Sequence, residues 1–481
     1  MLPLKQLQFA KNPCGFLRSI AALSFGLAVL YLAGCIRYQP KPISAAQNLK
    51  DFETRSLADP GLKDFLEKNQ KLRDWPLKSW DMKFLSLVAF YFHPDLDVAR
   101  AQWAVSRAGI ASAGERPNPT LNLAPGYNTT TPVSLITPWI PTVSLDIPIE
   151  TAGKRGYRIV QARYLSEAAR LNLATVAWQV RSRLRQARLD FFVAAQRESL
   201  LSQQQVVLEE NLRLLELQLS AGELSPFVVT QARIALDNLR LAAFDAARQR
   251  AEARVQLAGA LGLPVHALEG VEISFDDLKL FPREIPAAEV RRQALLNRPD
   301  ILGALAEYAA SQAALQLEIA KQYPDISIGP GYQLDQTDNK WTLSLTLTLP
   351  IFSRNKGPIG EADARRTESA ARFTALQAAV IGEIEAAVAA CRSALQYSEA
   401  AEKLLANLKM QEISARGLYE AGEISKLELG GIRLELITSA ISRLEALLKA
   451  QEAFGRLEDA MQSPFEFSEK VWLTPRLSPE R

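Results

Sequence analysis

Two periodicities run along the chain, in the same order twice. From Asp95 to Arg116 alanines and larger apolar residues recur at helical spacing, and Pro117 and Pro119 end the run. The period then drops to two. Leu121, Leu123, Pro125 and Tyr127 alternate with Asn122, Ala124 and Gly126. After a polar, turn-rich stretch, Val143, Leu145, Ile147 and Ile149 alternate with Thr142, Ser144, Asp146 and Pro148. This alternation predicts a strand pair with one apolar and one polar face. Helical spacing returns from Lys154 to Ser220, with no proline and Gly156 as the single glycine. A helix of that length spans roughly 100 Å and needs coiled-coil partners along its extent. The turn Ala221-Gly222-Glu223-Leu224-Ser225 follows. Gly222 supplies a left-handed cap there, and Ser225 caps a helix returning from Pro226 to about Leu261.

The same elements recur downstream. His93-Pro94-Asp95-Leu96 reappears as Arg298-Pro299-Asp300-Ile301, and Pro125-Gly126-Tyr127 as Pro330-Gly331-Tyr332, both 205 positions on. Pro119 matches Pro324, and 11 of the 35 positions from His93 to Tyr127 are identical. Pro148-Ile149 matches Pro350-Ile351 at an offset of 202, and Ala421-Gly422-Glu423-Ile424-Ser425 repeats the turn at 200. In the second copy Trp341, Leu343, Leu345, Leu347, Leu349 and Ile351 alternate with Thr342, Ser344, Thr346, Thr348 and Pro350, and a second long helix is predicted from about Pro358 to Ala421. The helix before each strand pair and the returning helix together match the long helix in length. Each repeat therefore reads as a coiled-coil rod with a strand hairpin at one end and a tight turn at the other.

The strands are of the length that crosses a bilayer at a tilt, with aromatics near their ends: Tyr127, Trp139, Tyr332 and Trp341. A soluble sheet would lay its apolar face on a core, but the helices use their own stripes on each other, which leaves lipid. A sheet in lipid must close on itself. Four strands are too few, since the smallest such barrels have about eight. The pattern thus demands an oligomer, of eight strands for two chains or twelve for three.

The N-terminus changes the address. The first 34 residues carry Lys5, Lys11 and Arg18 and no acid, around an apolar run from Ser19 to Leu32 that is short for a membrane span. The run ends in Leu32-Ala33-Gly34-Cys35, which resembles the bacterial lipobox and implies cleavage before Cys35 and lipid on its sulfur. Ile36 in place of aspartate after that cysteine favours the outer membrane. Loss of the signal removes three cations from a net charge of +3 and leaves the mature chain formally neutral.

Composition removes several classes of function. With 48% apolar residues the chain is not disordered, and two histidines and three cysteines leave little for a His/Cys metal centre or a histidine-based triad. Interspersed charge gives no nucleic-acid footprint. Cys14 leaves with the signal and Cys35 takes lipid, so Cys391 remains alone as a packed apolar residue and no intrachain disulfide is possible. His93, before Pro94, is read as an N-terminal helix residue, and His266 lies in the loop after Pro264; neither is read as a metal ligand.

Lipobox, paired repeats and Ala-Gly-Glu turns together resemble the TolC-like outer membrane efflux proteins over about Trp80 to Gln462. The fold that the resemblance implies is mainly α with membrane β: long coiled-coil helices forming a periplasmic α-barrel, and four strands per chain in a trimeric twelve-stranded outer-membrane β-barrel, built on a two-fold internal repeat. The expected organisation is a signal peptide over 1–34, a lipidated segment over 35–79, a first repeat over 80–270 with strands about 119–150, a linker over 271–284, a second repeat over 285–465 with strands about 324–352, and a tail over 466–481. Tyr38 to Leu77 and Val271 to Ala288 would lie in or near an equatorial collar.

The resemblance further implies a non-enzymatic, cofactor-free exit duct in the cell outer membrane. It would serve an inner-membrane pump, of resistance-nodulation-division type, through a periplasmic adaptor. Gly222, Ser225, Gly422 and Ser425 would lie at the tips that meet the adaptor. Tyr419 and Glu428 match gate positions, whereas Ile424, Gly431, Phe227 and Val228 stand where polar gate partners are expected, so closure would be mainly apolar. Pro148 to Ile159, with Gly153-Lys154-Arg155, looks like the heavy-metal branch. Rival readings are a duct for secreted polypeptides, and, in another class, a periplasmic adaptor or a structural coiled-coil lipoprotein. An adaptor would carry one helical hairpin and many soluble strands, and a purely structural coiled coil would not need amphipathic strand pairs.

Overall fold

The computed structural model of the protein describes residues 38–70, 75–129, 137–279, 281, 285–335 and 338–464. The expected signal segment 1–34, Cys35 and the expected tail 466–481 lie outside the described residues. The chain divides at Thr54 into two units. In the first, α1 (Ala45–Glu53) is capped by Ser44, whose hydroxyl accepts from the Gln47 amide at 3.3 Å.

The second unit begins at Arg55. It opens with α2 (Pro60–Asn69), the short β1 (Ser79–Trp80), α3 (Met82–Phe92) and α4 (Pro94–Gly114). Strands β2 (Thr120–Tyr127) and β3 (Trp139–Ile149) follow, then α5 (Lys154–Ser220) and α6 (Pro226–Leu261). After the short β4 (Glu272–Ile273) the plan repeats as α7 (Ala287–Asn297), α8 (Pro299–Ala320), β5 (Ile326–Asp335), β6 (Asp338–Leu347), α9 (Lys356–Glu420) and α10 (Lys426–Met461). The long helices α5 and α9 hold 67 and 65 residues. Each packs against the helix that precedes its strands and against the helix that returns, and α5 also packs on α8 and α10. The bounds of α5 and α6 are those read from the sequence.

Among the described residues the two larger of three apolar cores clamp this framework. One joins Leu62, Leu66, Trp80, Leu85 and Val88 to Leu173 and Leu184 of α5 and Leu257 of α6. The other joins Ile301, Ile384, Val388, Cys391 and Leu457. Cys391 is fully buried, and its burial pushes the thiol up to about 12. Beside the first core β1 pairs in parallel with β4, with Ser79 opposite Glu272 and Trp80 opposite Ile273. Arg188 is wholly buried there, held by the Ser274 carbonyl at 2.6 Å, by the Asp277 carboxylate and by the face of Phe275. A guanidinium out of water needs such a full set of partners. His93 caps α4 by accepting from the Asp95 amide at 3.2 Å, and burial lowers its pKa. His266 sits in a short 3₁₀ turn, Val265–Leu268.

The second strand pair is shorter than its pattern. The alternation runs to Ile351, and strands were expected over about 324–352, yet β5 starts at Ile326 and β6 stops at Leu347. The reason is pairing. Leu347 lies opposite Ile326, the first residue of β5, and among the described residues β6 has no second neighbour to carry it further. By contrast β3 continues to Ile149 because β5 pairs with it there.

Candidate functional site: an uncovered apolar sheet face and two helical tips

The four strands form one antiparallel sheet in the order β2-β3-β5-β6. Its register aligns the apolar positions of all four. Leu123 lies opposite Val143, Val143 opposite Tyr332, and Tyr332 opposite Trp341. The other face carries Asn122, Ser144, Gly331 and Thr342 in the adjoining row. The apolar face is not covered: Trp341, Leu343 and Leu345 are 80%, 76% and 71% exposed, and Leu121, Leu123 and Trp139 are exposed as well. A contiguous apolar sheet face without a cover is a surface for lipid or protein. Among the described residues both outer strands, β2 and β6, have one paired side only, which leaves a row of unpaired backbone groups at each edge.

The four aromatics near the strand ends form two cross-strand pairs. Tyr127 faces Trp139 edge-on at 5.0 Å between ring centroids, and Tyr332 tilts onto Trp341 at 4.9 Å. The Tyr332 hydroxyl donates to Asn339 Oδ1 at 2.5 Å. A ring with a polar handle at a strand end suits a membrane–water boundary.

At the far ends of the long helices the two turns are built alike. Gly222 and Gly422 have φ of 79° and 80°, where a side chain would be strained. The Glu223 amide returns to the Gln218 carbonyl at 2.9 Å and the Gly222 amide to Leu219 at 3.0 Å; Glu423 to Leu418 and Gly422 to Tyr419 repeat these distances. This double closure satisfies the last carbonyls of each helix. Ser225 and Ser425 then cap α6 and α10. The caps differ. Ser225 accepts only from the Phe227 amide, while Ser425 and Glu428 form a reciprocal capping box: the Glu428 carboxylate accepts from the Ser425 amide at 2.7 Å and holds its pKa below the ordinary value by that bond. Glu428 is thus engaged with its own helix end. Phe227, Val228 and Tyr419 are exposed at the same tips.

Polar ties that the sequence reading did not single out link the hairpins. Lys426 donates to Glu210 of α5 at 2.5 Å, and Gly430 approaches α5 so closely that a side chain would strike Asn211. Higher up, Asp459 accepts from the Trp178 indole at 3.0 Å and from Ser182 at 2.8 Å. Within the second hairpin, buried Glu412 accepts from Arg416 at 2.6 Å and Arg433 at 3.1 Å.

The Pro148–Ile159 stretch forms the crossing from sheet to helix. Lys154 is buried and donates to the Tyr323 carbonyl at 2.6 Å and Asp325 at 2.7 Å. Thr151 donates its hydroxyl to the Pro324 carbonyl at 2.7 Å. Arg155 reaches the Gly114 carbonyl at 2.6 Å, and Arg158 pairs with Glu150 while touching the carbonyls of Ala113 and Glu115. Cations thereby cap the carboxyl end of α4, which its own helix leaves unsatisfied.

Residues 92–263 and 290–461 each match the family described as outer membrane efflux protein, one match per repeat. The chain belongs to the outer membrane efflux protein family. As a member it is 27% identical over 266 residues to the cobalt-zinc-cadmium resistance protein CzcC of Cupriavidus metallidurans, covering 55% of this chain and 61% of that protein. It is 26% identical over 232 residues to the cation efflux system protein CusC of Escherichia coli, covering 46% and 50%. The chain thus spans between half and three fifths of these relatives. In fold, this efflux protein is similar to a crystal structure of CusC, with a TM-score of 0.65 at 19% identity over 89% of this chain and all of that one. It is similar also to the Campylobacter jejuni CmeC channel, with a TM-score of 0.65 at 16% identity over 91% and 92%.

Proposed function

We propose that the protein is the outer-membrane channel of a three-part export system, a passive duct for ions or small molecules delivered by an inner-membrane pump through a periplasmic adaptor. The observation that carries this reading is the uncovered apolar sheet face with two open edges, borne on helical hairpins far too long for a globular core. In lipid such edges are tolerated only when they pair with another chain. A homotrimer closes twelve strands. Its α6 would offer Phe227, Ile234, Leu241 and Val255, and its α9 Tyr397, Leu404 and Leu418, all exposed at seven-residue multiples. Two different faces that meet head to tail generate a ring.

Cargo is read from relatives: proteins named for cobalt-zinc-cadmium resistance and cation efflux favour metal ions. The pump is then of the resistance-nodulation-division type, the turns around Gly222, Ser225, Gly422 and Ser425 meet the adaptor, and Cys35 carries the lipid anchor. The energy comes from the pump, and this chain needs no catalytic group or cofactor. Planar-bilayer recording of the detergent-purified protein tests the duct: stepwise conductance from a trimer is expected, and a monomer without conductance overturns it. Deletion of the gene should lower tolerance to divalent cations; unchanged tolerance to every such cation refutes the cargo assignment.

A further inference from the structure

The internal repeat carries one step that a single chain does not complete. Lys154 opens α5 after Gly153, whose φ is 71°, and it grips the Tyr323 carbonyl and Asp325 where the second repeat enters β5. Beside this grip β3 and β5 pair, with Ile147 opposite Ile328 and Ile149 opposite Ile326. Lys356 is the repeat equivalent of Lys154: it opens α9 after Asn355, whose φ is 58°. Asn118-Pro119-Thr120 is the equivalent of Tyr323-Pro324-Asp325 and likewise leads into a strand. Yet Lys356 is exposed and its ammonium has no hydrogen-bond or ion-pair partner among the described residues. Asn118, Pro119 and Thr120 are exposed too. They lie at the β2 edge of the sheet, and Lys356 follows the β6 edge. Leu349 and Ile351, which continue the alternation of β6 without being strand, are 64% and 72% exposed.

We propose that a second copy of this chain completes the crossing. The partner's β2 pairs antiparallel with β6 and extends it through residues 348–351, in the register that β3 keeps with β5. Carried over by the repeat offsets, Leu349 lies opposite the partner's Leu123 and Ile351 opposite the partner's Leu121. Lys356 then donates to the carbonyl of the partner's Asn118, as Lys154 does to Tyr323. Pro350 is no obstacle, because Pro148 occupies the same place within β3. The alternation read from the sequence as far as Ile351 is, on this account, the strand of the assembled state. One difference is built in. Thr120 stands where Asp325 supplies a carboxylate, so the crossing within a chain is ionic and the crossing between chains rests on neutral acceptors, which bind an ammonium less strongly.

This inference rests on the channel reading and adds a register to it. The test is oxidative cross-linking of the full chain in outer membranes. A Leu121→Cys/Ile351→Cys variant should give disulfide-linked oligomers on non-reducing gels. The bond cannot form within one chain, whose β2 and β6 are opposite sheet edges, and Cys391 is buried. The displaced pairs Leu123→Cys/Ile351→Cys and Leu121→Cys/Leu349→Cys should link several-fold more slowly. Faster linking of either displaced pair, or no linking of Leu121→Cys/Ile351→Cys while that variant still conducts, overturns the register and leaves the channel reading standing. A wild-type monomer without conductance defeats both. The lysine contact has its own test. Thr120→Asp should raise the temperature at which the oligomer dissociates in detergent, and should do so less when Lys356→Met is also present. An equal rise in both backgrounds refutes that contact.

Discussion

Lys426, at the first position of α10, reaches across 216 positions of sequence to Glu210 of α5, with its ammonium nitrogen 2.5 Å from the carboxylate. Arg213 and Lys426 together hold the Glu210 carboxyl down at about 2. A depressed carboxylate pKa favours the tied form above the unfolded value, near 4.5, and that contribution disappears only as pH falls through about 2. The tie therefore persists through pH 5–7 and is not a switch in that range. Glu210→Gln or Lys426→Met should free the tip of α10 from α5. Hydrogen exchange should then accelerate at the amides around Gly422 to Leu429, with the sheet unaffected. Unchanged exchange at the tip would show that the pair is a solvated contact of no consequence, as exposed ion pairs often are.

How far the sequence carried can be judged from individual elements. The extents of α5 and α6 were legible because nothing between Lys154 and Ser220 interrupts helical spacing and because Gly222 and Ser225 are strong stop and start signals. The sheet's two faces were legible from the period of two. Its termination at Leu347 was not, because a strand is defined by its neighbour as much as by its own residues. The Lys426–Glu210 tie was hidden for a related reason. It depends on how α10 lies along α5, and the repeat gives no hint of it, since Lys426 corresponds to Pro226. The role of Lys154 was visible only as a short motif; its partners at Tyr323 and Asp325 required the fold.

The capping box at the second tip makes a graded prediction. Ser425→Ala removes the acceptor for the Glu428 amide and should cost about 1 kcal/mol. Glu428→Gln keeps one acceptor for the Ser425 amide and should cost less than Ser425→Ala. Thermal unfolding of the two variants in detergent checks the order. The same glutamate tests the gate reading. If Glu428→Ala changes neither single-channel conductance nor its block by divalent cations, Glu428 is a helix cap and not a gate.

Cys391 should be inert in the native protein. It is fully buried among Val388, Ile384 and Leu457, and burial holds its thiol near 12, so almost no thiolate exists at neutral pH. A maleimide should label it only after unfolding. Cys391→Ser should destabilise by about 1–3 kcal/mol, because the hydroxyl would need a hydrogen-bond partner in an apolar cluster. Cys391→Ala should cost less than that. Rapid labelling of the folded protein would mean that α9 opens locally.

The orientation of the sheet can be tested by moving one charge across it. Leu345 and Thr346 are neighbours in β6 whose side chains point to opposite faces. Leu345 belongs with Ile328 on the apolar face, and Thr346 with Ser327 on the polar one. If the apolar face meets lipid, Leu345→Lys buries an ammonium in hydrocarbon, at a cost of about 2–4 kcal/mol near the middle of the bilayer. In a closed ring of identical chains that cost recurs in every copy, so the variant should fail to insert and should accumulate outside the outer-membrane fraction. Thr346→Lys would place the same charge in the water-filled interior. It should assemble normally and shift the channel's preference toward anions, which reversal potentials in a salt gradient would report. If Leu345→Lys inserts and it is this variant that shifts selectivity, the faces are reversed and the polar face meets the membrane.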